Sequence, residues 1–116
     1  MLTTVQAGPY TLSGVSIAGL HTSIFVRELG ALFDVGIALR SCAGAEHVFL
    51  SHGHADHLGA LVTLLGMRGL LGMRPPRVHL PAEIADDTRQ ALALLSRAQR
   101  REFVLDAEPM LPGEER

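Results

Sequence analysis

The sequence predicts an α/β fold, a mixed sheet with helices on one face. Three observations carry this. Short β-branched and aromatic runs fill the first fifty residues, the apolar spacing turns helical after His57, and strand-like and helix-like segments then alternate. The resulting order is β-β-β-β-α-β-α-β. A length of 116 residues allows one domain, spanning 1–116. The chain is 47% hydrophobic and 19% charged, a globular balance that argues against disorder.

The elements follow from local pattern. "YTLSGVSIAG" mixes alternation with glycine breaks, "TSIFVRE" is β-branched and aromatic, and "GALFDVG" is a short apolar run closed by Asp34 and Gly36. These read as antiparallel strands at the edge of the sheet. "EHVFLS" is a further buried strand, and it runs straight into "HGHADH". Leu58, Leu61, Val62, Leu64 and Leu65 then have the spacing of an amphipathic helix ending near Met67. Pro75 and Pro76 break the chain, "RVHL" forms a strand, and Pro81 opens a second helix that runs to about Arg97. "REFVLDAEPMLPGEER" reads as a last strand and a turn.

Composition narrows the chemistry. A net charge of −2 supplies no general basic field for a polyanion, although all ten basic residues are arginine, which suits local phosphate contacts. Cys42 is the single cysteine, so disulfides and thiolate clusters are excluded and Cys42 itself reads as a small buried residue. The first 26 residues are uncharged but broken by Gly8, Pro9, Gly14 and Gly19, so they read as neither signal peptide nor membrane span. A cytoplasmic protein with no membrane contact is the expectation.

Three histidines and an aspartate lie within six positions, between a buried strand and a helix. Residues two apart on an extended segment point the same way, so His52 and His54 can chelate one ion. Asp56 and His57 follow at the turn into the helix and can reach a second. Imidazole and carboxylate suit zinc, manganese and iron, and the absence of thiolates favours a catalytic over a structural site. Two such ions would acidify a shared water for attack at phosphorus. The bland alternative leaves Asp56 as only a helix N-cap.

Other candidates are less pointed. Asp34 either terminates its strand or orients a ligating histidine. His21, in the turn-like "GLHTS", and Arg68, at the glycine-rich end of the first helix, are candidate substrate contacts; for Arg68 and Arg74 the plain reading is solvated charge. His47 and His79 fall beside or within strands and read as structural.

"SHGHADHLGAL" resembles the H-x-H-x-D-H signature of the metallo-β-lactamase superfamily, and "GALFDVG" resembles the strand ending in aspartate that precedes it. "GVSIAGLHTSIFV", "LFDVG", "FLSHGHADHLGAL" and "RGLLGMRPPRVHLPAEI", in that order, are similar to short-form, plant-type ribonuclease Z. The resemblance implies the N-terminal half of an αββα sandwich in a zinc-dependent endonuclease that removes the 3′ trailer from precursor tRNA. It implies two zinc ions, with His52 and His54 on the first, Asp56 and His57 on the second, and Asp56 also accepting a proton from the attacking water. Glyoxalase II, lactonases and phosphodiesterases share the histidine motif, and a non-catalytic metal-binding or interaction half-domain is the reading from another class.

The sandwich of this superfamily has a second half with further histidine and aspartate ligands, which find no match here. Two expectations follow. Each ion has two ligands where catalytic zinc usually has three, so the rest come from a missing C-terminal half or from a second copy in a homodimer. The sheet also exposes an apolar face.

Overall fold

The computed structural model describes residues 3–17 and 19–111. Its centre is a seven-stranded mixed sheet in which spatial order equals chain order, β1 (Thr3–Ala7), β2 (Tyr10–Ile17), β3 (His21–Val26), β4 (Ala31–Phe33), β5 (His47–Phe49), β6 (Arg77–Pro81) and β7 (Asp106–Met110). β1 to β4 are antiparallel, and β4 to β7 are parallel. Parallel neighbours require crossovers. Two of these are helical: α1 (Ala55–Leu58) and α2 (Leu61–Leu70) between β5 and β6, and α3 (Ala82–Gln99) between β6 and β7.

This is the expected α/β arrangement, with differences in detail. β1 has no counterpart in the sequence reading because "TTVQA" shows no apolar alternation, and all five of its residues are exposed. It exists by pairing with β2 through a two-residue turn, Gly8–Pro9, in which Gly8 takes the positive φ of 60°. Its outer edge borders no other described strand. The helix expected from Leu58 instead begins at Ala55 and is broken at Gly59–Ala60 into α1 and α2. The last strand is the "DAEPM" portion of the tail, and residues 112–116, which end that segment, lie outside the described residues.

Alternation along the strands divides the sheet into two faces. Leu32, Val48 and Val78 sit side by side across β4, β5 and β6, fully buried against Leu61, Leu64 and Leu65 of α2 and Ala85 and Leu92 of α3. Each fully buried aliphatic side chain contributes about 1.5–3 kcal/mol, so this layer fixes the register of the parallel strands. The opposite face carries Phe33, Phe49 and His79 in a second row. Phe33 stacks on Phe49 at 5.2 Å between centroids and Phe49 on His79 at 4.4 Å. Phe33 is 40% exposed, in keeping with the expected apolar face.

Arg68 corrects the sequence reading. It is buried, not solvated, and its guanidinium donates to the carbonyls of Ala43, Ala45 and Arg74 at 2.6–3.0 Å. Burial pulls its pKa below the usual arginine value. It pins the loop before β5 and the chain beyond α2 to the helix end. Cys42 is buried as expected, and desolvation raises its thiol pKa.

Removing the Arg68 guanidinium strands three carbonyls, each costing about 1–3 kcal/mol when buried and unpaired. Arg68→Met is therefore expected to lower the urea midpoint markedly, while Arg74→Ala, which keeps the carbonyl, stays within about 0.5 kcal/mol of wild type. Equal effects of the two variants refute this role.

Candidate metal centre

The C-terminal ends of β4 and β5 lie side by side because the strands are parallel, with Phe33 opposite Phe49. The chain leaves β4 at Asp34 and leaves β5 at Leu50, so Asp34 and the histidine segment meet at one edge. The ladder there has an unusual last rung. His47 N–H donates to the Gly30 carbonyl, and stepping by two along both strands would bring Ser51 N–H to the Asp34 carbonyl. Asp34 instead adopts a left-handed backbone, φ 62°. Its carbonyl accepts from the buried Ser23 hydroxyl at 3.1 Å, and its side-chain Oδ1 accepts the Ser51 N–H at 2.8 Å.

The Asp34 carboxylate also accepts from His57 Nδ1, 2.8 Å from Oδ2. A carboxylate can only accept, so the proton sits on Nδ1 and the Nε2 lone pair of His57 points away from Asp34. Asp34 is 8% exposed, buried enough to hold this geometry without competition from water. Asp34 thus both ends β4 and holds the ring of His57.

His52, His54 and Asp56 offer ligand atoms that all lie within 4.8 Å of one another. His57 adjoins them: its Nε2 is 3.4 Å from Asp56 Oδ2, and its ring centroid is 4.0 Å from that of His52. Asp56 Oδ2 is further held by Gly19 N–H at 3.2 Å, from the turn between β2 and β3. The chemistry of this donor set, neutral imidazoles and a carboxylate converging from one loop, fits a divalent transition metal. The N-cap alternative for Asp56 does not describe the structure, in which His54 is the N-cap of α1 and makes no side-chain capping bond.

Two backbone contacts at the β4 exit keep the loop in place. Val35 N–H donates to the His57 carbonyl at 2.7 Å, and Gly36 N–H to the Thr22 carbonyl at 2.8 Å. A Cβ on Gly36 would collide with the Asp56 carbonyl and with Thr22 N, so glycine is required where the β4 exit crosses α1.

The other candidates are not brought into the cluster. His21 is the first residue of β3, and its Nε2 is buried with no hydrogen-bond partner among the described residues. Arg68 is occupied by carbonyls, as described. His47 Nδ1 lies 3.2 Å from His79 Nε2 on the open sheet face. Sequence reasoning missed Ser51, Ser23 and Gly36. The signal for Ser51 was a hydroxyl immediately before the first histidine, at a strand end adjoining that of Asp34.

The sheet, the aspartate that ends β4 and the histidine loop that follows β5 make this the N-terminal half of a metallo-β-lactamase fold. No protein-family model matches the chain. It is 29% identical over 110 residues to the chloroplastic tRNase Z TRZ2 of Arabidopsis thaliana, covering 95% of this chain and 31% of that one. It is 35% identical over 82 residues to tRNase Z TRZ1 of the same plant, 71% of this chain and 29% of the relative. A nuclear ribonuclease Z of Triticum aestivum is 35% identical over 72 residues, 62% of this chain and 41% of the relative. The chain is a homologue of ribonuclease Z, and it spans less than half the length of these relatives. No helix among the described residues is long and apolar enough to cross a membrane. One relative is named chloroplastic and one nuclear, so the cytoplasmic expectation has no counterpart in these names.

Two variants test this arrangement. Asp34→Asn keeps the size but weakens the acceptor for His57, and zinc affinity measured by chelator competition is expected to fall by about 10- to 100-fold. Unchanged affinity returns Asp34 to a strand terminator. Gly36→Ala is expected to cost about 1–3 kcal/mol in thermal unfolding through overpacking. Gly69→Ala, in α2 with open space around it, should be neutral or stabilising by up to about 1 kcal/mol.

Proposed function

We propose that this chain forms half of a zinc-dependent endoribonuclease of the ribonuclease Z type, acting on the 3′ trailer of precursor tRNA. The observation that carries the reading is the convergence of His52, His54 and Asp56 within 4.8 Å, beside a His57 oriented by a buried carboxylate, in a homologue of ribonuclease Z. His52 and His54 would hold one zinc ion, and Asp56 and His57 a second; manganese or iron suits the same donors. When bound, the ions would supply Lewis acidity to the scissile phosphodiester and to the attacking water.

The chain's own residues have separate tasks in this scheme. Asp34 keeps the His57 ring in one orientation. The Gly19 N–H holds Asp56 Oδ2, leaving Oδ1 to accept a proton from the attacking water. Two protein ligands per ion fall short of the usual three, so the reading requires further ligands from outside residues 1–116. These would come from a further part of a longer polypeptide or from a second copy of the chain. Either would also cover the row of Phe33, Phe49 and His79.

Two measurements test the reading. Changing His52 and His54 together to Ala is expected to lower zinc content, by elemental analysis, far more than changing His47 and His79; equal losses refute the ligand assignment. With zinc added and the further ligands supplied by a longer polypeptide or a second copy, a 5′-labelled precursor tRNA is expected to be cut at the discriminator base. Turnover of small esters with the RNA left intact would instead indicate a thioesterase- or lactonase-like hydrolase.

A further inference from the structure

The Ser51 hydroxyl lies between the carboxylate that organises the site and a histidine that this carboxylate does not touch. Ser51 Oγ is 2.8 Å from Asp34 Oδ2, 3.0 Å from Asp34 Oδ1 and 2.9 Å from His52 Nδ1. A hydroxyl has one proton, and only one arrangement satisfies all three contacts. Donation to His52 Nδ1 would leave the oxygen lone pairs of Ser51 facing two carboxylate oxygens at hydrogen-bonding distance, with no proton between them. Donation to Asp34 removes that repulsion and leaves Oγ an acceptor toward His52. His52 must then carry its proton on Nδ1, which puts the Nε2 lone pair at the free end of the ring.

We propose that Ser51 is a positioning residue that relays the acceptor character of Asp34 to His52, so that one buried carboxylate sets the tautomer of two histidines, His57 directly and His52 through a hydroxyl. The backbone supports the same assignment. Ser51 N–H is bound to Asp34 Oδ1, so the Ser51 Cα is tethered to the carboxylate its hydroxyl addresses. Asp34 thus receives the Ser51 N–H, the Ser51 O–H and His57 Nδ1–H, three donors for a group that can only accept. His54, which has no such relay among the described hydrogen bonds, is left to be oriented by whatever it binds.

The value of the relay for metal uptake rests on the metal-centre reading, but the tautomer does not, and the two are measured separately. Long-range proton–nitrogen correlation of the metal-free protein, in mildly alkaline buffer where imidazoles are neutral, reports which ring nitrogen of His52 carries the proton. Wild type is expected to show Nδ1–H at both His52 and His57. Ser51→Ala should release His52 to a mixture of tautomers while His57 keeps its pattern, and Ser51→Thr, which restores the hydroxyl, should restore His52. Zinc affinity should fall by about 10- to 100-fold in Ser51→Ala and recover in Ser51→Thr. An Nε2–H tautomer at His52 in wild type, or a His52 pattern unchanged by Ser51→Ala, overturns the proposal. Failure of wild type to bind zinc, with the tautomers as stated, overturns the metal reading and leaves the relay standing.

Discussion

Asp34 is the constraint on which this half-sheet depends. Its left-handed backbone directs the carbonyl to Ser23 on β3 and lets the side chain take over the last rung of the ladder to β5. A single residue therefore closes the sheet edge, fixes the start of the histidine loop at Ser51 and fixes its end at His57. The strain is modest because aspartate tolerates this region better than most residues, though it still costs about 1–3 kcal/mol. The cost is offset by the donors that the carboxylate and carbonyl satisfy in a buried setting. Glycine would fit the backbone but would lose the carboxylate, and asparagine would fit it with a weaker acceptor.

The sequence was most readable where chemistry and pattern coincide. Four metal-type ligands in six positions have few structural explanations, and the β5-to-helix change of period around them was clear. The buried triad Leu32, Val48 and Val78 likewise follows from apolar alternation. β1 was hidden because its single large apolar residue, Val5, makes no alternation and its existence is decided by pairing with β2. The break at Gly59–Ala60 was hidden because the apolar spacing continues across it. Arg68 was misjudged for a more general reason: charge argues for solvent until carbonyls of the loop before β5 and of the chain just beyond α2 converge on it, and that convergence is a property of tertiary structure. Asp34 could be suspected from "LFDVG", but its partners, 17 and 23 residues away, could not be read from spacing.

The same separation explains why the site is well defined in only part of the fold. Its local geometry is set by contacts within residues 19–57, all of which lie within the described chain. What these contacts do not set is the environment of the open face, where Phe33, Phe49 and His79 stack with only partial burial. The histidine loop is thus held by its own contacts with Asp34, Gly19 and Val35, independently of that face.

The two borders of the sheet differ as templates for another strand. β7 carries Asp106 and Glu108, and Pro109 lacks the N–H that a neighbouring strand would need. β1 offers "TTVQA", free of charge and of proline, with every residue exposed. Strand addition is therefore polarised toward the hairpin border, remote in the sheet order from the helical crossovers. In concentrated preparations, a Lys or Glu placed in that strand would act as a gatekeeper against edge-to-edge growth without touching the histidine loop, to which β1 contributes no contact among the described hydrogen bonds.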